Sequence, residues 1–95
     1  MISKEYIIAK QILKSGTSIG ANIREVQNAE SKADFIHKFK IAAKEADETE
    51  YWLLICKYSE NYPDCDHLMD KILSIKKVIA KIISSSKKII TESPN

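Results

Sequence analysis

Apolar residues recur along this chain at alternating steps of three and four, the period of helices that bury one face. In the first third, Ile12, Gly16, Ile19, Ile23 and Val26 keep that alternation. Together with Ile8 they predict a first helix over about 3–29, capped by Ser3. Ser15 to Gly20 holds two glycines and three hydroxyl residues in six positions. These are poor helix formers, with Gly costing about 1 kcal/mol against Ala, yet the apolar period passes straight through them. The spacing therefore predicts one continuous helix whose thin middle lets a neighbouring backbone come close. Ser15, Ser18, Asn22 and Glu25 keep the same alternation one position over and form a polar seam beside the apolar one.

Ser31 and Asp34 make a capping pattern that starts a second helix, predicted over about 32–59. Its seam is Phe35, Phe39, Ala42, Ala46, Thr49, Leu53 and Cys56. Alanine at the centre of the seam invites a closely packed partner. Asn61-Tyr62-Pro63 reads as the following turn. A third helix over about 65–91 starts at Asp64 or Asp66, either of which suits the positive end of a helix dipole. It carries two adjacent seams. Leu68, Ile72, Ile75, Ile79, Ile82, Ser86 and Ile89 form the first, and Met69, Leu73, Ala80, Ile83 and Ile90 the second. Three rods of about 25 residues, each roughly 37 Å long, predict a single all-α domain, an antiparallel up-and-down bundle of the four-helix type. The apolar faces are wider than three helices need, so a fourth wall supplied by another chain is expected.

Composition narrows the class further. At 95 residues the chain is one domain near the low end for a self-sufficient core. Two glycines and two prolines in all argue against an all-β fold, which needs frequent turn residues. The net charge of +2 does not by itself imply nucleic acid, but six lysines face only Asp70 and Glu92 between His67 and Asn95. No apolar run approaches the roughly 20 residues that span a bilayer. Two cysteines without paired spacing, and no signal peptide, make a reducing cytoplasm the expected location.

The run Gln11-Ile12-Leu13-Lys14-Ser15-Gly16-Thr17-Ser18-Ile19-Gly20-Ala21-Asn22-Ile23-Arg24-Glu25, continued by Gln27-Asn28-Ala29-Glu30-Ser31-Lys32-Ala33-Asp34-Phe35 and Lys44-Glu45-Ala46-Asp47-Glu48-Thr49-Glu50-Tyr51-Trp52, closely resembles the small bacterial four-helix-bundle proteins known as 23S rRNA intervening-sequence proteins. The resemblance implies an up-and-down four-helix bundle that assembles into rings, commonly homopentamers, without an assigned biochemical role. Related bundles that serve diversity-generating retroelements bind nucleic acid and a reverse transcriptase through a basic ring. In the family a further helix precedes the stretch that matches Lys4 to Glu30. Here the chain offers only the matching helix, so either it is a truncation or the three helices are expected to take their fourth wall from a neighbour.

Asn22 and Glu25 match the family's Asn-Ile-x-Glu signature. With Ser18 they are candidates for a subunit contact or, more plainly, for half-buried polar residues that fix register. Lys76, Lys77, Lys81, Lys87 and Lys88 are candidate phosphate contacts, with Arg24 and Lys14 as possible additions to the same surface. His37, Cys56, Cys65 and His67 are the only soft metal ligands and lack zinc-site spacing. The acids of the second helix include no Glu-x-x-His pair of the di-iron kind. No catalytic residue, metal, cofactor or small-molecule substrate is expected. Two functions remain. One is a non-enzymatic oligomeric adaptor that binds RNA or DNA weakly through a basic rim. The other is an interaction scaffold that accepts a partner helix in an open groove.

Overall fold

The computed structural model describes residues 3–59 and 64–92 of the chain. The described residues are helical apart from short connections and contain no strand. Helix α1 spans Lys4–Glu25 and runs into a 3-10 turn at Val26–Asn28, α2 spans Lys32–Lys57, and α3 spans Asp66–Glu92. The expected turn at Asn61-Tyr62-Pro63 lies outside the described residues, as do the side chains of Ile89 and Ile90.

The helix starts follow the local chemistry. Ser3 Oγ accepts the Tyr6 N–H at 3.2 Å and opens α1. At α2, Ser31 Oγ accepts the Asp34 N–H at 3.0 Å, while Asp34 Oδ2 accepts the Glu30 N–H at 3.1 Å. Two otherwise unpaired backbone donors are thus satisfied reciprocally. Lys38 closes the arrangement with Nζ at 3.2 Å from Asp34 Oδ2. At α3 the acid that acts is Asp64, whose Oδ1 accepts the Asp66 N–H at 2.9 Å. The first helix stops four residues short of the expected position 29, because its last turn tightens to 3-10 geometry before Ala29 leaves in an extended conformation.

The Glu30 backbone N–H, and after it the Lys38 ammonium, hold the Asp34 carboxyl below the ordinary carboxylate value. A carboxyl whose pKa is depressed on folding stabilises the fold above its unfolded pKa and loses that contribution as the pH falls through its folded pKa. Asp34→Ala is therefore expected to melt at a lower temperature than wild type at pH 7. The gap should be full above about pH 4, the ordinary carboxylate range, and narrow progressively as the pH falls further below it. Paired thermal melts above and below that range check it.

Helix α2 is the centre of the fold. Both α1 and α3 pack on it, and they make no close backbone approach to each other. Ser15 of α1 meets Thr49 of α2 while Val26 lines one groove with Phe35, and Lys76 of α3 meets Asp47 and Glu50 while Lys87 lines one groove with Ala43, so each outer helix runs antiparallel to the central one. Along α2, Phe39, Ala42, Ala46, Thr49, Leu53 and Cys56 are buried as expected, joined by Ile36. Ala42 and Ala46 are 0% exposed. Their small side chains let the flanking helices close over α2, and Ile19 of α1 with Ile72 and Ile79 of α3 completes the core.

The outer helices depart from the expected faces. On α1 the buried residues are Ile8, Ser15 and Ile19. Gly16 and Ile23, expected inside, are exposed. Both Gly16 and Gly20 face open space, with nothing within 4 Å of where a Cβ would stand, so they do not mediate close packing within this chain. On α3 Ile72 and Ile79 are buried, with Met69, Ile82 and Ile83 half-buried, whereas Leu68, Leu73 and Ile75 are exposed. The three helices form a long, shallow layer of 58 × 22 × 14 Å, not a closed bundle.

Candidate functional site

Two surfaces stand out: an apolar side left open by the arrangement, and a line of lysines. The open side has two walls. Ala9, Leu13, Gly16, Gly20 and Ile23 of α1 keep the steps of four and three of a packing seam, and every one of them is exposed. Leu13 is 67% exposed. This seam runs beside the buried one, so α1 has apolar surface for two neighbours and only one is present. On α3, Leu68, Ile75, Val78 and the half-buried Ile82 form the matching stripe, with Val78 58% exposed. Ser86, next on that stripe, shares a groove with Val26 and Phe35 at the corner of α1 and α2. The α3 stripe therefore looks toward α1 across the shallow side of the layer.

The candidate lysines separate into different roles. Lys76 Nζ lies 2.9 Å from Asp47 Oδ1 and 2.9 Å from Glu50 Oε1. These bonds, Asp47 first and Glu50 second, raise its pKa above the ordinary lysine value. Its charge is already matched, and it serves as a bracket between α3 and α2. Lys77 and Lys81 are exposed and pair with no carboxylate among the described residues, and Lys88 is exposed on the same line. The helical rise spaces the three by roughly 6 and 10 Å along α3. Lys87 lies along the groove between α2 and α3 with Ala43, Asp47 and Ala80. Lys14 and Arg24 are exposed on α1, which makes no close backbone approach to α3.

The polar seam is largely self-contained. Asn22 Nδ2 donates to the Ser18 carbonyl at 2.9 Å and to Ser18 Oγ at 3.3 Å, and both residues are half-buried. Glu25 is exposed. Ser15, which the spacing placed in this seam, instead enters the core. The Ser15 and Thr49 hydroxyls lie 2.8 Å apart and back-bond to Gln11 and Glu45 carbonyls of their own helices. The indole N–H of Trp52 is buried without an acceptor among the described residues.

Among the described residues no three His, Cys, Asp or Glu side chains are grouped to hold a metal ion. No helix there is long and apolar enough to cross a membrane.

Residues 2–83 match the 23S rRNA-intervening sequence protein family. The chain belongs to that family. A crystal structure of a protein of unknown function from the S23 ribosomal protein family of Bacteroides thetaiotaomicron is similar to it, with 49% identity and a TM-score of 0.78. That alignment covers 84% of this chain and 76% of the other. No curated protein matches. For this intervening-sequence family member the comparison supports the all-α bundle class and the helix pairings around α2.

Proposed function

We propose that this chain is a non-enzymatic adaptor that assembles with copies of itself through its open apolar side and presents a rim of lysines to RNA or DNA. The observation that carries the reading is the pair of unpartnered packing seams, Ala9 to Ile23 on α1 and Leu68 to Ile82 on α3. Surface area supports it. The chain exposes 7050 Å², whereas a compact monomer of its mass exposes about 5,500 Å². Part of that excess follows from the elongated shape. Self-association places copies of the Lys77, Lys81 and Lys88 line around one rim, multiplying a charge that is modest in a single chain. The family resemblance makes a pentamer the expected ring.

The nucleic-acid arm is tested by titrating labelled RNA and DNA at low and moderate salt. Binding is expected to be weak, to fall steeply as salt rises, and to be lost in a Lys77→Glu, Lys81→Glu, Lys88→Glu variant that keeps its oligomeric mass. Binding unchanged by that variant would remove the lysine line from the account.

A second reading has the same groove take a helix from a different protein. The glycines of the α1 seam favour it, because they let a foreign backbone approach closely. A purified chain that stays monomeric while keeping its helical content would turn the choice toward this reading.

A further inference from the structure

Cys56 and Cys65 are the only cysteines of the chain, with eight residues between them. Spacing gives no hint of a relation, but the fold brings them together. Cys56 is buried on the core seam of α2, one residue before the helix ends. Cys65 immediately precedes α3, where its carbonyl accepts the Met69 N–H at 2.9 Å, and its side chain packs half-buried at the edge of the core. The two side chains are in hydrogen-bonding contact. Their alignment does not depend on the connecting segment alone. The Lys76 bracket to Asp47 and Glu50, farther along both helices, also fixes the register of α3 on α2.

We propose that Cys56 and Cys65 form a reversible dithiol–disulfide site that reacts with small-molecule disulfides of the glutathione class and ties the end of α2 to the start of α3. The two thiols have unequal roles. Burial, with the neighbouring Cys65 sulfur as a second cause, raises the pKa of the Cys56 thiol, so it keeps its proton. Cys65 is the more accessible of the two and makes the first attack. Its thiolate displaces one glutathione thiolate from oxidised glutathione and forms a mixed disulfide at Cys65. Cys56 then gives up its proton to solvent and attacks the Cys65 sulfur, which expels the second glutathione thiolate. One protein disulfide forms, the two thiol protons pass through solvent to the departing glutathione thiolates, and one glutathione disulfide is reduced to two thiols. Reduced glutathione in excess reverses both steps. The cross-link joins α2 and α3 at the end where no ion pair among the described residues holds them, and leaves the open apolar side untouched.

The full chain is incubated with oxidised glutathione at neutral pH and followed by intact mass and peptide mapping. A monomeric species lighter by about 2 Da, with one peptide joining Cys56 to Cys65 and full reversal by excess reduced glutathione, is expected. Cys56→Ser should stop at one glutathione on Cys65, and Cys65→Ser should react more slowly than Cys56→Ser. The glutathione ratio at half-oxidation, measured in buffer and again in urea, separates a placed pair from a chance one. The folded chain should favour its disulfide at least about ten-fold more than the unfolded chain, the effect of holding two reactants in place. A wild-type product carrying two glutathiones, a disulfide between chains, or equal ratios in buffer and urea would overturn the proposal.

Discussion

Val78→Asp is expected to dissociate the proposed assembly while leaving the helical content and cooperative unfolding of the chain intact. Val78 is 58% exposed in the single chain and lies on the unpartnered stripe of α3. A carboxylate there costs the isolated fold little, since exposed positions tolerate substitution within about 0.5 kcal/mol. In the proposed assembly the same position would be covered. Losing the burial of one valine removes about 1.5–3 kcal/mol per contact, and a carboxylate brought into an apolar interface adds a desolvation cost. The association constant should drop by about ten-fold to several hundred-fold per interface. Light scattering across a concentration series, paired with circular dichroism, reads both halves of the expectation. A variant that keeps the wild-type molar mass would show that this stripe is not the contact.

The next largest effect is expected at Leu53. It is 1% exposed at the centre of the α2 seam, covered by helices on both sides. Leu53→Ala should destabilise the fold by about 2–5 kcal/mol, combining lost transfer energy with the cavity left behind. For a domain of this size that is a large part of the whole stability. Leu54→Ala, one residue on and 39% exposed, should cost far less. Urea unfolding of the two variants measures the contrast, and equal losses would contradict the placement of α2 as the shared wall of the fold.

How much of this was legible in the sequence depended on the number of neighbours each helix has. The α2 seam was read nearly residue by residue, because a helix packed on both sides buries every apolar position that keeps its period. On α1 the spacing was right at Ile8, Ile12, Ile19 and Val26, which are buried or pack on the core, and wrong at Gly16 and Ile23, which are exposed. Ser15 is buried in their stead, with its hydroxyl 2.8 Å from that of Thr49. A serine in the core is invisible to an apolar count. Lys76 read as one more surface lysine for the same reason. Its bracket to Asp47 and Glu50, like the contact between Cys56 and Cys65, exists only once the register of α3 on α2 is fixed. The line of Lys77, Lys81 and Lys88 was legible from helical spacing. The expectation that the apolar faces exceed what three helices cover has its structural counterpart in the exposed stripes of α1 and α3.

The most direct measurement is the molar mass of the unmodified chain in solution at micromolar concentration, by light scattering or sedimentation. A stable multiple of the 10.8 kDa chain mass is the predicted result. A cooperatively folded particle of 10.8 kDa, unchanged as concentration rises, would contradict assembly through the open side.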